Sequence, residues 1–438
     1  MEIISLIGIF VALAVMVIGC MRSVNLVILA PICALIVTIS GGIGIVEGYG
    51  VNYMTSMGNF VLSNYPVFLT GALFSKFLDL SGLTESIAIT LVKRLGKDNI
   101  VLAMIICNVV LAVAGVNTFV IIFTMFPIAL AMFKEADLPR KLIPACILGP
   151  TVVAVMLPGM PTLNNIIPMN AVNALLGTSE VTPLAAPVIG FIGFLGMFVL
   201  TMLYLNNAAK KARRNGEHFT AQEGDEKILN INLDAADQVS PLWILLPLAF
   251  IIITLNVFRW PAYGSLAGAS VIIIICFFKK LKGQFNNAFS ESVKNSSIVI
   301  TTAALAGFGA VVRLVPGFQM VVSGLTSLSL GNPYLFTIFA VAIIAGVTGS
   351  AYGGMQIAIE AVGRQILAMG AAPQVVSRLV TMSALSLDSL PHNGAVVLTL
   401  NYCGVSHRDG YKYLGMTTVV FPFLVSIIGV ILGSLGIA

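Results

Sequence analysis

The chain has little charge. Only 9% of its 438 residues are Asp, Glu, Lys or Arg, against roughly a quarter in a soluble domain. With 58% hydrophobic residues and a mean hydropathy of +1.01, it cannot coat a globular surface in water. The composition implies an all-α polytopic membrane protein whose environment is a lipid bilayer. Histidine is also scarce: there are three, and His218 and His407 fall in loops. The six cysteines (Cys20, Cys33, Cys107, Cys146, Cys276, Cys403) are scattered, mostly in apolar runs. That spacing excludes a disulfide framework and a metal cluster. No Ser/His/Asp order, metal-ligand spacing or phosphate loop emerges. "GFGAVV" at 307–312 begins like a nucleotide fingerprint but is incomplete and sits in an apolar run. The chain therefore reads as a non-enzyme with no cofactor, no catalytic residues and no metal. The first apolar run lacks a basic n-region and an A-x-A-like cleavage site, so it reads as a mature span. The net charge of +5 bears on membrane topology rather than on nucleic acid.

What is present is a succession of apolar runs. In the first half they cover 3–20, 24–46, 64–92, 99–133, 142–168 and 183–205. In the second half they cover 241–256, 261–278, 286–315, 333–368, 374–402 and 414–436. The run 99–133 is too long for one span, since as a helix it would reach about 52 Å against a hydrocarbon core of about 30 Å. Its centre, "AGVNTF", predicts two half-length helices meeting at a polar tip. The run 333–368 is broken in the same way at "TGSAYGG" (348–354). Irregular backbone at such depth survives only where protein or a water-filled cavity covers it.

The halves match in order. "AGVNTFVIIF" (114–123) answers "AGVTGSAYGG" (345–354), "LPRKLI" (138–143) answers "APQVVS" (372–377), and "LPGMPTLNN" (157–165) answers "LPHNGAVV" (390–397). The expected organisation is a first repeat over 1–205, a solvated cytoplasmic linker over 206–240 and a second repeat over 241–438. Each repeat holds five transmembrane helices and one re-entrant hairpin. Five spans is an odd number, so the second repeat is inverted. With the N-terminus outside, Arg22, Lys93, Arg94, Lys97, Arg140, Lys141, the 210–214 cluster, Lys279, Lys280, Lys282, His407, Arg408 and Lys412 fall inside, as basic loops should. Arg313, Arg364 and Arg378 do not fit. Inverted repeats with broken helices point to secondary transport.

The polar breaks are the candidate site. In the first unwound segment (157–168), Pro158, Gly159 and Pro161 prevent a regular helix, while Thr162, Asn164 and Asn165 supply neutral donors and acceptors. Pro391 removes an amide donor from the second unwound segment (386–397) and obstructs the carbonyl four residues back. Half-helix N-termini present exposed N–H groups and partial positive charge, which suit a carboxylate. The expected substrate-binding residues are Asn117, Thr118, Gly159, Thr162, Asn164, Asn165, Thr348, Gly349, Ser350, Gly353, Gly354, Ser389 and Asn393. Asp388, His392 and Glu360 are the candidates for ion coupling, because an ionisable group in a membrane is costly unless it faces a cavity or a partner. Lys76 and Asp79, three apart, read as an intrahelical pair.

"LTGALFSKFLDLSGLTESIAITLVKRLG" (69–96), "TGSAYGGMQIAIEAV" (348–362) and "LDSLPHNGAVVLTL" (387–400) resemble the gluconate permease family of the ion transporter superfamily. The string from Asp388 to Ala395 is its most specific piece. The resemblance implies uptake of a small organic acid, such as gluconate, a related sugar acid or 3-hydroxybutyrate, by proton symport across a bacterial inner membrane. It also implies a homodimer and an elevator-like moving domain that carries two hairpins. Gluconate-type members have an acidic residue at the first hairpin tip where "GVNTFV" stands here, and the first unwound segment, "PGMPTLNN", is more similar to hydroxybutyrate-type or uncharacterised members. Asn117, Thr118, Thr162 and Asn164 also resemble sodium motifs of the superfamily's dicarboxylate branch. The coupling ion is thus proton or sodium, and a sodium-coupled di- or tricarboxylate carrier is the alternative.

Overall fold

The computed structural model describes the chain apart from residues 23, 84–85, 87–98, 114–117, 161, 224, 226–238, 328–330 and 392. All regular structure among the described residues is helical. In the first half, α1 (Glu2–Met21) and α2 (Leu26–Ser40) pack as a pair. Asn25 starts α2 by accepting the Val27 N–H at 2.9 Å. Next come α3 (Met54–Leu80), α4 (Ile100–Val113), α5 (Thr118–Glu135), α6 (Ile143–Val155), α7 (Leu163–Leu176) and α8 (Pro187–Arg214). The second half holds α9 (Leu245–Asn256), α10 (Ala262–Cys276), α11 (Phe285–Ser296), α12 (Ile298–Leu314), α13 (Pro316–Ser327), α14 (Pro333–Thr348), α15 (Ala351–Ala368) and α16 (Pro373–Leu387). It closes with α17 (Gly394–Tyr402), α18 (His407–Gly415) and α19 (Phe421–Ser434). Proline opens α8, α14 and α16, where its missing N–H would have had no intrahelical acceptor.

Among the described residues, three continuous helical stretches are long and apolar enough to cross a membrane: Pro187–Arg214, Phe285–Leu314 and His407–Ser434. The other apolar helices are shorter, and several are halves of a broken pair. The third helix differs from its apolar run, 64–92. It runs unbroken from a π-helical turn at Val46–Tyr53, because Asn52, Ser56, Asn59 and Ser63 recur at helical spacing on one face. That polar stripe hides a helix from a hydropathy reading.

Packing pairs the two halves. Helix α2 lies on α12 and α10 lies on α3, while α3 crosses both α11 and α12. Lys76 on α3 joins Asp79 at 3.4 Å, as expected, and Glu291 on α11 at 2.6 Å. Helix α6 packs on α4 and α5, and α16 packs on α14; α15 touches α14, α12 and α7, and α8 packs on α19. The arms α14 and α15 meet closely at Gly354, where a Cβ would stand 2.5 Å from Ala345 Cα. Only glycine fits there.

Three boundaries move. The first break spans 156–162, not 157–168, because α7 begins at Leu163. Helix α7 carries on through Pro168, which cannot donate to the Asn164 carbonyl one turn back. The Thr381 hydroxyl donates to that carbonyl instead, at 2.9 Å. The second break spans 388–393. The linker is also shorter than 206–240, since α8 continues to Arg214. Beyond Arg214 the chain forms a strap. Arg140 pairs with Asp225 at 2.5 Å, Lys141 with Glu217, and the Gln222 amide donates to the Gly404 carbonyl at 2.8 Å. His218 and the Phe219 N–H hold the exposed Asp137 carboxyl below its ordinary range, and Lys141 does the same for Glu217.

Candidate functional site

Each break ends one helix and starts another. Helix α5 starts at Thr118, and α7 at Leu163 after Thr162. Helix α15 starts after Ser350, whose Oγ accepts the Gly353 N–H at 3.3 Å. Helix α17 starts after Asn393, whose Oδ1 accepts the N–H groups of Ala395 and Val396 at 2.8 and 3.2 Å. The turn between α14 and α15 is made by Gly349, at φ +64°, a left-handed conformation that favours glycine.

All four starts reach one cavity of about 270 Å³. Thr118 lines it from the first hairpin and Asn164 from the first break. Gly349, Ser350, Ala351 and Tyr352 line it from the second hairpin. Asp388, Ser389, Asn393 and Gly394 line it from the second break. The remaining wall is largely apolar, with Phe68, Leu148, Val152, Leu305 and Leu398. Among the described residues that line it there is no Lys, Arg or His, and Asp388 is the sole carboxylate.

Asp388 is 6% exposed. Its carboxylate accepts the Ser389 hydroxyl at 3.0 Å and the Asn393 amide at 3.4 Å. The backbone N–H groups of Ala351 and Ser389 also donate to it. The carboxylate thus fastens the second break to the first turn of α15. Asn164, 7% exposed, has a buried Oδ1 that no donor among the described residues reaches. A buried acceptor left unpaired costs about 1–3 kcal/mol, which a ligand hydroxyl, a protonated carboxyl or a cation would remove.

Other expected site residues lie elsewhere. Gly159 is buried in the first break, its N–H donating to the Pro183 carbonyl at 2.9 Å. Thr162 accepts the Asn165 amide at 2.9 Å, and the Asn165 Oδ1 accepts Arg378 at 2.6 Å. Both brace the break instead of facing the cavity. Gly353 borders a separate groove, and Gly354 sits between the hairpin arms. Thr348 ends α14, and only its backbone is described. Asn117 and His392 lie outside the described residues. Glu360 lies outside the cavity, three turns along α15, where it pairs with Arg313. A carboxylate on that helix face looks away from the tip.

The sequence reading missed Tyr352, Thr151 and Thr301 among the lining residues. "SAYGG" did carry a signal for Tyr352, at the second position of a helix start; the two threonines gave none. It also missed Arg378, 2% exposed, which donates to Asn165 Oδ1, to Ala185 O at 2.9 Å and to Pro183 O at 3.1 Å. This arginine and Arg313 failed the charge-topology rule because they are not loop residues: one braces a break, the other lines a groove.

No family model matches the chain. Over an alignment of 460 positions it is 30% identical to an uncharacterized transporter of Bacillus subtilis (strain 168), YxjC, covering 95% of this chain and 96% of that protein. Its backbone is similar to the crystal structure of the YdaH transporter of Alcanivorax borkumensis, described as having an unusual topology. That likeness has a TM-score of 0.59 over 90% of this chain and 91% of the other, at 16% identity. It concerns fold alone.

Proposed function

We infer the cargo and coupling of a chain that belongs to the same family of membrane transporters as YxjC, and that is a transporter rather than an enzyme. The cargo is a small organic monocarboxylate with an apolar portion, a 3-hydroxybutyrate-like hydroxy acid ahead of a gluconate-like sugar acid. Import is driven by proton symport.

One observation carries this reading: the N-termini of α7, α15 and α17 and the first described turn of α5 border a single cavity that holds one carboxylate and no basic side chain among its described residues. N-terminal N–H groups and their dipoles favour an anion. The hydroxyls and amides of Thr118, Asn164, Ser350, Ser389 and Asn393 suit a carboxylate and a hydroxyl. The aliphatic and aromatic wall suits a short carbon chain better than a row of hydroxyls. A dianion calls for a fixed cation, so the lining favours a monocarboxylate over a di- or tricarboxylate. Sodium remains the alternative coupling ion on a specific ground: the Asn164 Oδ1 and the Asp388 carboxylate are oxygen ligands of the kind sodium takes.

The paired packing of α2 on α12 and α10 on α3, with two broken hairpins at matching places, supports two inverted repeats. On that reading α4–α7 and α14–α17 form the part that moves as an elevator. A homodimer in the inner membrane completes the proposal. Uptake into proteoliposomes tests it, using labelled 3-hydroxybutyrate, gluconate and a dicarboxylate under imposed proton or sodium gradients. Concentration of 3-hydroxybutyrate by the proton gradient is the expected result. Uptake of the dicarboxylate alone, driven by sodium, overturns the reading.

A further inference from the structure

A second polar space lies along the other end of α15. It is a groove of about 410 Å³, walled by Asn52, Thr55, Ser56 and Asn59 on one side and by Arg313, Gln356 and Glu360 on the other. A neighbouring recess of about 390 Å³ shares Gln356 and Glu360 and adds Arg364. An apolar layer separates the groove from the central cavity: Phe60, Phe68, Val299, Ala303 and Ala306, packed against Tyr352. Phe60 faces the groove, whereas Phe68 and Tyr352 line the central cavity. The last two rings meet edge to face, 6.2 Å between centroids.

Arg313 is the chemically informative residue. Its Nη1 donates to Glu360, whose other oxygen accepts the Gln356 amide at 3.1 Å. Its Nε is buried, with no acceptor among the described residues. A guanidinium binds carboxylates in pairs of parallel N–H bonds. Glu360 takes Nη1, and the Arg313 side chain is still 26% exposed. With Arg364 nearby, the two spaces present two guanidiniums to one carboxylate. Over both spaces the excess is one positive charge, and an excess of one sign raises the local concentration of its counter-ion.

We propose that this groove is an antechamber that binds a carboxylate at Arg313 before it passes the aromatic layer. The inference rests on the cargo being an organic anion, but its anion preference can be measured without transport. The full-length chain is reconstituted with Thr55→Cys, and with Cys20 and Cys276 replaced by serine. Modification by a sulfonate-bearing methanethiosulfonate is compared with that by its trimethylammonium analogue, each normalised to a free thiol. The anionic reagent is expected to react about tenfold faster. Arg313→Gln should bring the ratio near unity, and Arg313→Lys should keep part of it. Equal rates in the parent, no modification by either reagent, or an unchanged ratio in Arg313→Gln each overturn the proposal.

A second arm measures uptake of labelled 3-hydroxybutyrate. Arg313→Gln should raise KM about tenfold, equivalent to one lost charge-assisted contact, with exchange at saturation unchanged. A fall in the saturated rate with KM intact would make Arg313 a purely structural latch. If the parent moves no organic acid while the reagent preference behaves as expected, the antechamber stands and the cargo reading fails.

Discussion

Asp388→Asn removes the sole carboxylate among the described residues of the central cavity while keeping the side chain's shape. A cavity of about 270 Å³ has an equivalent radius of about 4 Å, which puts a substrate carboxylate roughly 6 Å from Asp388. At an effective dielectric of about 20, two negative charges at that distance repel by about 2.8 kcal/mol, near 100-fold in affinity. An arriving cation cancels the penalty, and by linkage the substrate then tightens cation binding by the same factor. The asparagine variant carries no such penalty. Its substrate affinity should be independent of pH and sodium, and should match that of the cation-saturated parent. Isothermal titration at several pH values and sodium concentrations reads this directly. In proteoliposomes the variant should exchange internal for external substrate yet fail to accumulate it down an imposed gradient. The substitution also replaces an acceptor of the Ser389, Asn393 and Ala351 donors, so a melting curve must first establish that the variant is folded. If a folded Asp388→Asn protein accumulates substrate as the parent does, with the same cation dependence, Asp388 only fastens the break to the hairpin.

Asn164→Ala deletes the unpaired Oδ1 at the cavity wall. Affinity should fall about tenfold, the worth of one hydrogen bond of about 1.4 kcal/mol, while the melting temperature of the ligand-free protein stays close to the parent's; calorimetry and melting together check the pair. Arg378→Met strands two buried acceptors, Asn165 Oδ1 and Ala185 O, and takes one of two donors from Pro183 O, which keeps the Gly159 N–H. It should destabilise the fold by about 3 kcal/mol or more, read as a lower melting temperature in detergent, and an unchanged curve would deny Arg378 its bracing role. A cysteine at Thr220, in the strap after α8, should resist an impermeant thiol reagent added outside intact cells. Efficient labelling there would invert the topology.

The places where helices break were legible in the sequence, and so was the reason. Proline, glycine and small polar residues inside apolar runs leave backbone groups that hydrocarbon cannot satisfy. "LPGMPTLNN" and "SLDSLPHNGAVV" therefore had to become breaks sheltered by protein, and Thr118, Asn164, Ser350, Asp388, Ser389 and Asn393 do meet at one cavity. Tertiary structure decided which carboxylates and arginines meet. Glu360 finds Arg313 47 residues away, and Arg378 finds Asn165 across 213. Hydropathy and helical period describe only neighbours along the chain, so they cannot name such partners. The polar run from Asn52 to Ser63 falls outside every apolar run for the same reason. Its helix becomes intelligible only when α12 and α15 pack opposite it and leave a groove for those side chains to line.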